Sequence, residues 1–271
     1  MTALERWAAQ LEAWALPEEI LARAPESPWG FPVEPFRARA ERAGTDPPSP
    51  SARVALEALP DGGSVLDVGS GAGAASLALV PPAGLVTAFD PSERMLEAFE
   101  ELAARAGVAH AAVRGSWPDD AGSAEAADVV VCHHVVYNAP DLEAFARALS
   151  DHARGRAVVE MTAQHPRAWM NDLWMRFWSL ERPDGPTSDD AEEALAEAGI
   201  HVRREDWLLP RRGVGPRDAA IASARRMLCL THDRDDEVAE ALGDRLWTSG
   251  DDRWFIGNRE QPLTTLWWDP S

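Results

Sequence analysis

The stretch "SVLDVGSGAGAAS", residues 64–76, decides how this chain is read. An apolar run ends in Asp67, and Gly69, Gly71 and Gly73 follow at alternate positions before helix-forming residues resume. The pattern predicts a strand that turns sharply into a helix around a bound ligand, with glycines where the backbone passes close to it. Counted from Gly69, the spacing also fits the dinucleotide fingerprint, with Ala74 as the third small residue. The glycines alone leave the ligand open.

Outward from this loop the chain alternates. "ARVALEAL" predicts a helix before the strand, and "AASLAL" opens one after it. "LVTAFD" is a second strand ending in Asp90. The helix "PSERMLEAFEELAARAG" follows, with Pro91 near its start and Gly107 past its end. "AHAAVRG" and "ADVVVCHH" are the third and fourth strands; the latter is the near-continuous apolar run of a strand buried on both faces. "PDLEAFARALSDHARG" is a helix and "RAVVEMT" a fifth strand. Alternating strands and helices predict an α/β fold, a parallel sheet with right-handed crossovers that binds its ligand at the strands' carboxyl ends.

The flanks differ in character. Before the breaker-rich "TDPPSPS" lies a helical segment with Leu4, Trp7, Leu11 and Trp14 at helical spacing, divided at Pro17, and then the short helix "FRARAERAG". After Thr162 come the aromatic-rich helix "HPRAWMNDLWMRFWSL", a helix in "DDAEEALAEAGI" and a strand in "HVRREDWLL". Two helices within 216–246 and a terminal strand "PLTTLWWD" complete the chain. Three parts are expected: an N-terminal helical lid (1–48), a ligand-binding core (49–162) and a C-terminal part with aromatic helical insertions (163–271).

Composition prunes the function classes. The 271 residues carry 26 basic and 45 acidic side chains, a formal charge of −19, which disfavours nucleic acid as a partner. Cys132 and Cys229 are far apart and form no metal or redox motif. The first residues are charged throughout, without a signal-type apolar stretch, and no apolar run approaches the ~20 residues of a membrane span. A cytoplasmic location without membrane attachment is expected. Every basic residue is arginine, so Schiff-base, P-loop and lysine-base chemistries are excluded as usually built.

Two carboxylates refine the ligand. Asp90, the second-strand acid, is positioned to accept hydrogen bonds from two ribose hydroxyls, a role common to nicotinamide and S-adenosyl cofactors. Asp67 discriminates, because a carboxylate at the mouth of the loop would repel a pyrophosphate but favour the ammonium and sulfonium of S-adenosylmethionine. The alternative is that Asp67 caps the helix or braces the loop.

With these residues in view, "VLDVGSGAG" resembles motif I of class I S-adenosylmethionine-dependent methyltransferases, and "AFDPSERMLEAF" resembles their second motif. "ADVVVCHHVVYNAPDLEAFARAL" is similar to their fourth-strand region. The resemblance covers about residues 50–162. It implies a Rossmann-like, seven-stranded, mostly parallel sheet flanked by helices, with an antiparallel final strand. It carries Gly69, Ser70, Gly71 and Gly73 to the methionine portion of the cofactor and Asp90 to the ribose, with Pro91, Ser92 and Met95 beside the adenine. S-adenosylhomocysteine would be the product. One departure concerns the acidic residue that many relatives place after the third strand to bind the adenine amino group. Here Ser116 and Trp117 stand there, the first as a polar contact and the second as a stacking ring or simple packing, with Asp119 as another candidate.

His133 and His134 end the fourth strand, where the methyl group is expected to emerge. A neutral histidine suits proton removal from an attacking hydroxyl or amine, although methyl transfer depends greatly on positioning. Neighbouring strand residues point to opposite faces, so one of the pair at most is expected to act, with His133 alternatively lining the cofactor pocket. Tyr137 and Asn138 are candidates for orienting substrate, Tyr137 also for catalysis. The adjacent histidines lack the spacing of a zinc site, and no metal is expected. Twelve tryptophans stand against one tyrosine. Trp169 and Trp174, with Trp7, Trp14, Trp29 and Phe36, are expected to wall an apolar substrate cavity, or else to pack or to form a dimer surface; monomer and homodimer stay open. Arg211, Arg212, Arg217, Arg225 and Arg226 are expected on a solvated surface. The leading expectation is methyl transfer to oxygen or nitrogen of a small, partly apolar molecule. If those arginines converge, an RNA methyltransferase is the rival, and a non-catalytic cofactor-binding module is the third alternative.

Overall fold

The computed structural model describes the whole chain except Phe31, Arg212, Val214, Ser249, Asp251 and Ser271. The alternation from Pro50 folds as its periodicity predicts: α4 (Pro50–Ala58), β1 (Ser64–Val68), α5 (Ala74–Leu77), β2 (Leu85–Asp90), α6 (Glu93–Ala106), β3 (Ala109–Arg114), β4 (Ala127–His133), α7 (Leu142–His152) and β5 (Ala153–Thr162). Helix α6 illustrates the local logic. Met95, Leu96, Phe99, Leu102 and Ala103 bury one stripe, and Gly107 closes the helix in the left-handed conformation that suits a residue without Cβ.

Strand β6 (Arg203–Pro210) and strand β9 (Glu260–Trp268) complete a seven-stranded sheet of order β3-β2-β1-β4-β5-β9-β6. Strands β1 to β5 pair in parallel, and β9 inserts antiparallel between β5 and β6. The sequence order reverses between β1 and β4. There neighbouring crossovers leave on opposite faces and open a crevice at the carboxyl edge. Val65, Leu66 and Val68 of β1 and Val129, Val130, Val131 and Cys132 of β4 are fully buried, as a two-sided strand requires.

Apolar layers cover both faces. One holds Leu66, Val68, Phe145, Leu149 and Leu266; the other holds Val54, Val65, Phe99, Leu102 and Val129. A third cluster lies in the additions. Leu16 and Ile20, from and beside α2 (Glu18–Leu21), pack with Leu173 and Trp174 of α8 (Asn171–Trp178). Ile221 and Ala224 of α10 (Arg217–Met227) and Val238 and Leu242 of α11 (Asp235–Leu242) join them. The N-terminal helices α1 (Ala3–Glu12) and α3 (Val33–Ala43) dock elsewhere on the core, α1 through Arg6 to Asp190 and Glu193 of α9 (Ser188–Glu197).

Several aromatic expectations change here. Trp7 and Trp14 are buried, with their indole N–H groups donated to the Ala139 and Gly185 carbonyls, so they pack and do not wall a cavity. Trp174 is 2% exposed inside the third cluster and is likewise a core residue. The aromatic helix begins only at Asn171, after a 3₁₀ turn at Ala168–Met170. A two-stranded sheet of β7 (Leu246–Thr248) and β8 (Trp254–Ile256) has no counterpart in the sequence reading, since three-residue strands fall below any periodicity signal. Among the described residues no helix is long and apolar enough to cross a membrane.

Candidate active site

The loop after β1 is built on its three glycines. Gly69, Gly71 and Gly73 have φ of 67°, 51° and 86°, the left-handed region that a residue with Cβ adopts only under strain. Space is equally tight. A Cβ on Gly69 would stand 2.4 Å from Val135 Cγ2, and one on Gly73 2.5 Å from Phe99 Cδ2. On Gly71 it would meet the Phe36 ring at 3.2 Å, so helix α3 lies against the loop.

The carboxylates hold this backbone. Asp90 accepts from the Gly71 N–H with one oxygen and from the Ser92 N–H with the other, both at 2.8 Å, joining the loops after β1 and β2. Each oxygen retains acceptor capacity, the requirement for binding a pair of ribose hydroxyls. Burial raises its pKa against those two bonds. Asp67 is 1% exposed and accepts from Ser76, from the hydroxyl at 2.6 Å and from the backbone N–H at 3.2 Å. The bracing role, open at the level of sequence, is thus its visible one. Burial pushes its carboxyl up to about 6 against the Ser76 bonds, leaving it mostly ionised at neutral pH. Met95 is buried, Pro91 exposed and Ser92 half-buried at the start of α6.

After β3 the polar expectations shift. The Ser116 N–H already donates to Asp120 at 2.8 Å, leaving only its exposed side chain for a ligand. Asp119 is exposed. Trp117 donates its indole N–H to the Phe145 carbonyl and meets Phe89 and His152 edge-on at 5.3 and 5.0 Å. Those contacts tie the ring into the core, a packing role in place of a stacking platform.

The ends of β4 and β5 carry the main addition to the sequence picture. His133 is registered opposite Glu160 in the parallel pair, and its Nδ1 lies 3.7 Å from Glu160 Oε2. His134 was expected on the opposite face. It leaves the strand with φ of 62°, and that left-handed turn returns its ring to the same carboxylate, Nε2 to Oε1 at 3.0 Å. Arg39 of α3 completes the group, with Nη2 3.3 Å from both Glu160 Oε1 and His134 Nε2. The expected divergence of the two rings fails here because alternation holds only while the backbone stays extended.

Electrostatics follow from burial. Burial pushes His133 down to about 4 against the pull of Glu160, so its ring is neutral through the physiological range. Burial opposes ionisation of Glu160, but both histidines and Arg39 outweigh it and hold the carboxyl well below its usual range. His133 Nε2 is buried and has no hydrogen-bond partner among the described residues. A buried polar atom without a partner is costly in an apolar setting. Glu160 and Arg39 escaped sequence reasoning; a lone acid inside "AVVEMT" was the available signal, since that strand is otherwise apolar.

The remaining expected residues are dispersed. The Tyr137 hydroxyl is engaged with Thr162, its Oγ1 2.5 Å away, and burial drives its pKa upward, both unfavourable to a base. Asn138 is exposed beside it. Trp29 is 45% exposed beneath the Arg167 guanidinium, Phe36 is 37% exposed, and Trp169 is half-buried beside Gly257. Of the arginines expected at a solvated surface, Arg225 is 2% exposed and paired with Asp235 at 2.8 Å. Arg226 binds the Gly30 carbonyl, Arg217 is exposed near Trp254, and Arg212 lies outside the described residues. Among the described residues no group of three or more His, Cys, Asp or Glu is arranged to hold a metal ion.

Comparisons with known proteins agree with this geometry. Residues 65–155 match the family model described as a methyltransferase domain. In fold the chain is similar to a putative methyltransferase from Bacillus halodurans C-125, at 17% identity over 81% of this chain and 96% of that one, with a TM-score of 0.51. It is also similar to the YcgJ protein from Bacillus subtilis, at 17% identity over 80% and 95% of the two chains, again with a TM-score of 0.51. No curated protein matches the chain in sequence. The glycine loop and the β4–β1 switch point both fall in the part of the chain that matches the methyltransferase-domain model, and the fold is that of the two solved structures.

Proposed function

We propose that the enzyme methylates an oxygen or nitrogen of a small, partly apolar molecule. The observation that carries this reading is the cluster of His133, His134 and Glu160 at the carboxyl ends of β4 and β5, beside the glycine loop. Val135, directly after the histidines, packs on Gly69, so the two features share one crevice. The residues present suit the cofactor. The left-handed glycines admit close backbone approach by its methionine portion, Asp90 has acceptor capacity for the ribose, and Asp67 adds negative potential beneath the loop. When bound, S-adenosylmethionine supplies a methyl group made electrophilic by a positively charged sulfur.

The chain's own residues do the rest. His133, neutral and with Nε2 open, accepts the proton from the attacking hydroxyl or amine. Glu160 stabilises the imidazolium that results, and Arg39 and His134 keep that carboxylate ionised. Phe36 and Trp29, on the N-terminal segment, and Trp169 offer apolar walls. A calorimetric titration tests the cofactor assignment. Wild-type protein is expected to bind S-adenosylmethionine and not NAD, and Asp90→Ala to weaken the former by about tenfold or more, on the order of one to two charge-assisted hydrogen bonds. Unchanged affinity in Asp90→Ala would remove the assignment.

A further inference from the structure

Among the described residues the two buried arginines are matched to acids, as is the half-buried Arg204. Arg156 pairs with Asp269 at 2.7 Å, Arg225 with Asp235 at 2.8 Å, and Arg204 with Asp189, Glu192 and Asp206. With 45 acidic residues in the chain, such partners are abundant. Arg211 has no acid partner among the described residues and lies at the edge of the sheet that carries the candidate site. It follows directly on β6, whose carboxyl end lies on the same edge of the sheet as those of β4 and β5.

Its side chain is half-buried and held in a fixed plane. Nε and Nη2 both donate to Gln261 Oε1, at 3.1 and 2.6 Å, and the guanidinium lies 4.8 Å from the centre of the Phe255 ring. Nη1 donates to no protein group among the described residues, and it points past Gly257, where a Cβ would stand 3.7 Å from it and 3.6 Å from the Trp169 ring. No carboxylate pairs with this guanidinium among the described residues. Burial, and then the charge of Arg39, depress its pKa, so Arg39 is near enough for the two cations to repel. Arg39 reaches the same edge from α3, where Glu160 is already shared with two histidines. Arg167 and Arg182 also lack acids, but they donate to backbone carbonyls at Pro28, Ala15 and Trp14 and so hold the fold together.

A half-buried cation with neutral partners, facing a second cation across a crevice, is stabilised by an incoming anion. We propose that Arg211, facing Arg39, forms an anion subsite that selects a methyl acceptor bearing a carboxylate. The planar fork of Arg211 suits a carboxylate, the Trp169 ring beside it suits an apolar body, and the reacting hydroxyl or amine extends toward His133. This proposal rests on the methyltransferase reading above.

Titration of the protein saturated with S-adenosylhomocysteine tests it, using benzoate against benzamide, phenylacetate against phenylacetamide and cinnamate against cinnamamide. At least one acid is expected to bind about tenfold tighter than its amide, the scale of one charge-assisted contact. Arg211→Gln is expected to erase that preference and Arg217→Gln to leave it, with S-adenosylhomocysteine affinity unchanged in both. The proposal is overturned if every acid binds no better than its amide, or if Arg211→Gln keeps the preference. Wild-type protein that fails to bind S-adenosylhomocysteine overturns the methyltransferase reading and this proposal together, whereas intact cofactor binding without acid preference overturns this proposal alone.

Discussion

At Asp67 the demands of the fold and of the proposed cofactor oppose each other. Its carboxyl is raised from 3.8 to about 6 by burial, so its contribution to folding is full below about pH 4 and is lost as pH rises through 6. Asp67→Asn keeps an acceptor for Ser76 and removes the buried charge. Thermal unfolding is expected to show it more stable than wild type at pH 8, by on the order of 3 kcal/mol for two pKa units, with no difference near pH 4. A cationic cofactor reverses the preference. Wild-type affinity for S-adenosylmethionine is expected to rise as pH increases from 5 to 7, while Asp67→Asn gives a flat and weaker profile. A flat wild-type profile would leave Asp67 as a brace alone. Glu160 is tested separately. With an acceptor from a metabolite screen, Glu160→Gln is expected to lower kcat about 100-fold with little change in cofactor affinity, the scale of general-base assistance. Equal kcat would remove the proton-transfer role.

At the scale of elements, the glycine loop is a joint between β1, α5 and α3. Gly69→Ala places a Cβ against Val135 at a left-handed backbone position. Its expected cost is about 1–3 kcal/mol, with cofactor affinity reduced as well, read by chemical denaturation and calorimetry. Wild-type stability and affinity in that variant would mean that the loop tolerates the shift. Helix α3 touches the candidate site twice, through Phe36 on Gly71 and Arg39 on Glu160. Neither contact is encoded locally. "FRARAERAG" reads as an ordinary charged helix until the fold places it over the crevice.

Across the whole molecule, charge separates surface from site. The formal charge of −19 makes the exterior unwelcoming to phosphate backbones. Arginines that looked like a basic stretch have internal partners: Arg225 on Asp235, Arg226 on the N-terminal loop at Gly30, Arg211 on Gln261. Filter binding at low salt is therefore expected to find no salt-dependent affinity for RNA; a steep salt dependence would revive an RNA substrate.

The sequence by itself determined the strands of the core and the glycine loop. Period-two and continuous apolar runs, glycines at Gly69, Gly71 and Gly73, and Asp90 at a strand end are local signals, because each reflects backbone geometry or the burial of a single strand. It also placed His133 and His134 at the right edge. Only the tertiary structure decided what surrounds them. Glu160 is 26 residues beyond His134 and Arg39 lies 95 before it; strand pairing brings the first to both histidines and the docking of α3 brings the second to His134. The tryptophans divide the same way. Composition announced an apolar layer, but whether a ring such as Trp174 or Trp29 is core or wall depends on which helix packs on it, a property of the assembled fold.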